Sequence, residues 1–462
     1  SAQSLFWTRS SAAPRAHNRM GLRAALIALV VWPASCSLLE PSSQEDNEKA
    51  KAVYVAIGDL FIEGRTSQEK EDATFQLAEF LRTDPDAAHF IVEKKGVSPL
   101  VATLKAPNTL KARQGAAIAL SWIARRQPHH SDAIHRAGGV QAIIDLLRDG
   151  DARTHEWALL ALSTIATDRP NITWTIAELG GIPRVIQFLS KGSTKEKSKA
   201  VVALSIFSRY NASRYIALCR GVPPLVALLK DGEANHVLKA TMTLANVAMG
   251  GMESASLIGD ADAIPALGVL VDKGTGPMKE WSALALAWLA RTHPQNRDRI
   301  GNANCILPLV DLLSTGNHAQ VENAMLAITS AVTDHVDNAN RAAAVGAIPR
   351  FVALAGNASK HNAQNAAIAL ARLAAASDSH MVAITEAGGI TEAQAVHAAH
   401  MTIASLGLKN ETFVLVDALA NIGGTEFSLD IEGLEGYARS VDNTNQKDEE
   451  VVKTAYSRHD AK

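Results

Sequence analysis

The sequence predicts an all-α protein built as a stack of three-helix repeats. Three observations carry that expectation. A five-residue phrase recurs along most of the chain, at intervals of about 42 residues, a length typical of helical repeats. An Ala-Leu pair recurs at a fixed distance inside each interval. The composition also suits helices: 47% of residues are hydrophobic but only 5% aromatic, and Ala, Leu, Val and Ile supply most of the apolar share. The aromatic types favoured in strands are correspondingly few.

The phrase begins at Gly96, Gly139, Gly181 and Gly221, then at Ala263, Cys305, Ala347 and Gly389, and no interval strays from the common spacing by more than a position or two. Self-similarity of this kind marks a repeat architecture. The inner pair stands at Ala119-Leu120, Ala161-Leu162, Ala203-Leu204, Ala285-Leu286 and Ala369-Leu370, with Thr243-Leu244 and Ala327-Ile328 as variants. Counting one repeat length back from Gly96 puts Leu77 at the same place, so residues 54–95 read as an atypical first repeat. In the last repeat the phrase Ala-Leu-Ala-Asn (418–421) arrives late, which implies an insertion between its helices.

Each repeat reads as three helices in order. The Gly and Pro residues of the phrase break the chain between the first and second. The second helix carries runs such as residues 224–229 and 308–313, apolar at i, i+1, i+3 and i+4. After a polar turn the third helix carries the Ala-Leu pair, where alanine permits close approach and leucine fills the groove. No single repeat can bury its apolar faces, so stacking makes one continuous core.

Period and phrase together resemble the armadillo-repeat family, that of β-catenin and importin-alpha; the related HEAT repeat is the other architecture considered. The resemblance covers roughly residues 54–425. It implies a right-handed armadillo-type α-solenoid of about eight to nine three-helix repeats, whose third helices line a concave groove that holds extended partner segments. The domain reading is a targeting leader and linker at 1–45, the solenoid at 46–425, and an acidic, polar tail at 426–462.

Counted from the phrase, the groove-facing places are 18, 21, 25 and 28, one stripe of a helix. In importin-alpha-like proteins place 21 repeats Trp and place 25 repeats Asn. Here place 21 reads Ile118, Leu160, Val202, Met242, Leu284, Leu326 and Ile368, and place 25 holds a single asparagine, Asn246, in seven. The nuclear-import reading fails on those residues. Over the 28 places the stripe holds six basic residues (Arg125, Lys199, Arg209, Lys239, Arg291 and Arg372) and no acidic one. Trp122, Trp157, Trp281 and Trp288 also fall on it. The expectation is a groove of positive potential furnished with the side chains most common at binding hot spots. A register error of one step would instead make the tryptophans core.

No signature of phosphate binding, nucleophilic hydrolysis or zinc proteolysis occurs, so the chain reads as no enzyme, with no cofactor and no metal. His129, His130 and His135 cluster at a repeat junction and read as solvated or capping, as do His397 and His400. Cys219 and Cys305 read as small buried apolar residues. With 45 basic and 47 acidic residues the charge is balanced, which argues against a nucleic-acid partner. The function expected is a protein-binding scaffold for an extended acidic or aromatic segment. The alternative is a permanent structural subunit of a large organellar or membrane-associated assembly.

The leader stands apart. Residues 1–39 lack Asp and Glu but carry Arg9, Arg15, Arg19 and Arg23, and a mainly apolar stretch runs from Ala24 to Leu39, interrupted by Pro33. Read from Met20, this has the proportions of a secretory signal, with Ala34, Ser35 and Cys36 as small residues at a cleavage site. An organellar transit peptide, to plastid or mitochondrion, is the competing reading, and a retained leader would be the chain's contact with a membrane. Sequons at Asn171, Asn211, Asn357 and Asn410 do not decide the compartment.

Overall fold

The computed structural model describes residues 53, 55–60 and 66–389, apart from positions 85, 106, 211, 358 and 359. The leader, the late phrase at 418–421, the tail, His397 and His400 lie outside the described residues.

Among the described residues there is no strand. A helical stretch at 55–60 precedes α1 (Ser67–Thr83), the third helix of the first repeat. Three-helix repeats follow in order. The first is α2 (Ala87–Glu93), α3 (Val97–Thr103) and α4 (Leu110–Arg126); the next is α5 (Pro128–Arg136), α6 (Gly139–Asp149) and α7 (Ala152–Ala166). Then come α8 (Pro170–Glu178), α9 (Gly181–Lys191) and α10 (Thr194–Phe207), and α11 (Ala212–Leu218), α12 (Val222–Asp231) and α13 (Ala234–Ala248). They continue as α14 (Met252–Asp260), α15 (Ala263–Lys273) and α16 (Gly276–Thr292), and as α17 (Pro294–Asn302), α18 (Ile306–Thr315) and α19 (His318–Val332). The array ends with α20 (Val336–Ala344), α21 (Ala347–Asn357) and α22 (Lys360–Ala376), followed by α23 (Asp378–Glu386). This is an armadillo-type α-solenoid repeat. Two compact units divide within α6, one up to Ala142 and the other from Ile143.

Local chemistry sets the helix ends. The polar turns before the third helices supply caps: Thr66, Thr109, Asp151, Ser193 and Asn317 each accept the amide hydrogen of the residue three further on. Glu69, Glu196 and Gln320 close the reciprocal half of a capping box. First helices α5, α8 and α17 open on Pro128, Pro170 and Pro294, where a missing N–H costs nothing.

The break between first and second helices differs from the sequence expectation. It lies one residue before the phrase, at a left-handed residue: Lys95, Gly138, Gly180, Arg220, Asp262, Asn304, Gly346 and Gly388 all have positive φ. The next amide then reaches back five residues, Gly96 to the Ile91 carbonyl (2.8 Å), Gly221 to Ile216 (2.9 Å) and Cys305 to Ile300 (3.1 Å). This is the Schellman closure of a helix end. The prolines of the phrase sit in the first turn of the second helix and do not break it.

The inner pair is core as expected. Leu120, Leu162, Leu204, Leu244, Leu286, Ile328 and Leu370 are fully enclosed, and Leu77 is 1% exposed. Third helices pack on one another in succession, α1 on α4 in the N-terminal unit and α7 through α22 in the other. Successive first helices also meet. The Asn296 side chain donates to the Ala255 carbonyl (2.9 Å), and that of Asn338 donates to the carbonyls of Arg297 (2.8 Å) and Ala331 (3.0 Å). Gly259 and Gly301 make room for them, since a Cβ at either would run into the asparagine amide of the next repeat. Cys305 is buried, and burial pushes its thiol up to about 12. Cys219, expected to be buried, is half-exposed.

Candidate functional site

Whether the stripe of places 18, 21, 25 and 28 faces outward depends on the helix register, and the burial pattern answers that. All seven residues of place 21 are half-buried, while the inner pair one and two residues on is enclosed. At place 28, Arg125, Thr167, Arg209, Met249, Arg291 and Ala375 are exposed. Trp122, Trp157, Trp281 and Trp288 are half-buried. The four tryptophans are thus neither enclosed like the inner pair nor fully exposed.

Aromatic and cationic residues pair along the stripe. On α16 the Arg291 guanidinium lies 5.2 Å from the centre of the Trp288 ring, one turn away. On α4, in the N-terminal unit, Arg125 lies 5.3 Å and Arg126 5.9 Å from Trp122. Two helices thus repeat one arrangement, place 25 supplying the ring and place 28 the cation, a geometry with its own electrostatic attraction. The hydroxyls of Thr164, Thr167 and Thr333 bond back to carbonyls of their own helices, four residues before, so those places offer mainly methyl groups outward. The face is apolar and aromatic with cations at its edge.

Several expected groove residues behave differently. Arg372, expected as an exposed cation, is buried at 7% exposure; at a half-open place the long stem of an arginine can be covered by its surroundings. Ser330 at the same place of α19 is also buried. Arg209 is exposed, but its guanidinium stands 3.6 Å from Asp168, which also accepts from the Tyr210 hydroxyl at 3.3 Å. Asp168 lies one place beyond the stripe, so a count confined to the stripe omits it, and the positive potential expected at Arg209 is offset. Lys199 and Lys239 are half-buried, the latter ammonium 3.9 Å from the Met242 sulfur. Asn246, the single asparagine of place 25, donates to the Ser208 hydroxyl at 3.0 Å.

The stripe extends further toward the N-terminus than counted. On α1 the corresponding places hold Phe75, 36% exposed, and the Glu79–Arg82 ion pair at 2.5 Å. Phe75 borders a hollow of about 470 Å³ with Val53, Ala56, Leu77 and Phe80. Because this repeat lacks the opening phrase, its stripe was not legible by counting from a glycine.

The junction histidines also differ from expectation. His130 is neither solvated nor a cap: it is fully enclosed, with Nδ1 3.1 Å from the Ile123 carbonyl oxygen. Its companions are His129 and, from the preceding repeat, His89 rather than His135.

No known protein family matches the chain, and no curated protein matches it. Among solved structures the chain is similar to an engineered protein with 24% sequence identity and a TM-score of 0.69, over 88% of this chain and 98% of the other. It is also similar to a designed armadillo repeat protein, at 23% identity over 51% of this chain and 99% of that one, with a TM-score of 0.48. Another designed armadillo repeat protein, in complex with the peptide (KR)4, gives 23% identity, the same coverage and a TM-score of 0.47. The first likeness shows the fold.

Proposed function

We propose that this chain is a non-enzymatic scaffold that holds protein partners along the open face of its third helices. The observation that carries the reading is the half-exposed row of aliphatic side chains at place 21, flanked by half-exposed tryptophans and exposed arginines. A row spaced by one repeat suits an extended segment, which can offer one side chain to each repeat. The Trp288–Arg291 and Trp122–Arg125 pairs favour a segment with apolar or aromatic residues and interspersed carboxylates. Within α16, Trp281 and Trp288 stand about two turns apart, roughly 10 Å along the helix.

The test is selection from a displayed library of extended peptides against the full chain, followed by affinity measurement on a Trp281→Ala, Trp288→Ala double variant. Acidic and aromatic peptides should be enriched. Their affinity for the double variant should fall by about 30-fold or more, the loss expected at a hot spot. Selected peptides that bind the double variant as well as the wild type would overturn the proposal.

The same proposal assigns the protein to the secretory pathway or to a plastid or mitochondrion, on the strength of the acid-free leader. No single helix among the described residues is long and apolar enough to cross a membrane. N-terminal sequencing of native protein tests the leader: a mature start close after Ala34 to Ser37 supports cleavage, and recovery of residues 1–19 rejects it.

A further inference from the structure

In the N-terminal unit three imidazoles from two successive first helices come together: His89 on α2, and His129 and His130 on α5. One ring nitrogen from each lies within 4.8 Å of those of the other two. His129 packs edge-on against His130 with ring centres 4.4 Å apart, and His89 lies stacked 6.2 Å from His130. From this geometry we infer a binding site for a divalent transition-metal ion of the zinc type, held by His89, His129 and His130.

His130 carries the argument. A backbone carbonyl can only accept, so the contact with Ile123 places the proton of the neutral ring on Nδ1. Nε2 is then left as a lone pair. It belongs to a side chain with no exposed surface, and it has no hydrogen-bond partner. A buried acceptor without a partner is costly and calls for an explanation, and an ion is one. Metal-bound histidines are commonly held in this way, the second ring nitrogen donating to a carbonyl that fixes both tautomer and ring plane.

Distance and donor chemistry agree. Tetrahedral zinc with Zn–N near 2.0–2.1 Å needs ligand nitrogens about 3.4 Å apart. The trio must therefore close by no more than about 1.5 Å, and the two rings that would move, His89 and His129, are exposed. Three imidazoles select zinc, copper, nickel or cobalt over magnesium or calcium, which prefer oxygen. A three-histidine set leaves a fourth position open to water or to an incoming ligand. Loading the site would clasp α2 to α5, joining two successive repeats.

The test uses the full chain without an affinity tag. Titration with Zn2+ should show one site per chain, and Co2+ should give the intense visible absorption of a four-coordinate ion. His89→Ala and His129→Ala, at exposed positions that leave the fold intact, should each weaken binding by more than about 100-fold, beyond the loss typical of an outer-shell partner. Saturating Zn2+ should also raise the unfolding midpoint of the wild type and not of the variants. Zn2+ binding of equal strength in the wild type and in the two histidine variants, or a six-coordinate Co2+ spectrum, would show that the rings only pack against one another and would overturn the inference.

Discussion

Helices α16 and α22 occupy equivalent places two repeats apart and share the same buried layer, yet their open faces differ. On α16, place 25 is Trp288, half-exposed beneath the Arg291 guanidinium. On α22, place 25 is Arg372, enclosed, and place 28 is Ala375. The inner residues Leu286 and Leu370 are equally inaccessible. The repeat therefore fixes which places belong to the core, while the half-open places are left to be furnished repeat by repeat. Core and face can vary almost independently, as expected where each repeat owes its stability to its nearest neighbours.

The largest effect that would sharpen this contrast lies in the shared layer. Leu286→Ala should cost about 2–5 kcal/mol, with loss of amide-exchange protection centred on α16 and its neighbours. An unchanged denaturation profile would place Leu286 outside the core. Next comes the face of α16. Trp288→Ala should lower partner affinity by about 2 kcal/mol or more, while its stability cost stays near 1–2 kcal/mol because only part of the ring is buried. Equal losses in stability and binding would mean that the two layers are not separable. On α22 the expectation reverses: Arg372→Ala should cost about 1–2 kcal/mol of stability through lost packing, where Arg291→Ala should remain within about 0.5 kcal/mol. Thermal melts of the two variants side by side decide this. The smallest effect is electrostatic. Arg291→Glu should weaken binding of an acidic segment by about 1 kcal/mol at low salt. That difference should shrink when ionic strength rises and the Debye length falls to about 3 Å near 1 M.

The period, the helix order and the buried pair were legible because each repeats in the one-dimensional pattern. Other features were not. Lys95, Arg220, Asp262 and Asn304 share a left-handed conformation with glycines at the same junction, so residue type does not reveal the break. Asp168 meets Arg209 of the following repeat, and a count confined to one helix face misses it. His89 joins His130 for the same reason. These last two are contacts between successive repeats, which periodic counting aligns but does not pair. Arg372 shows the complementary limit: a place in the repeat gives a direction, and the surroundings decide whether the side chain is covered.

The left-handed junctions have a practical consequence for thermal robustness. Lys95 and Arg220 occupy a backbone region that glycine enters freely and that costs other residues about 1 kcal/mol or more. Neither long side chain can offset that cost by bonding to the nearby backbone, as the short polar groups of Asp262 and Asn304 are able to. Glycine at positions 95 and 220 would relieve torsional strain at two joints of the array. Resistance to heat could be raised there while both the buried layer and the partner-facing row keep their composition.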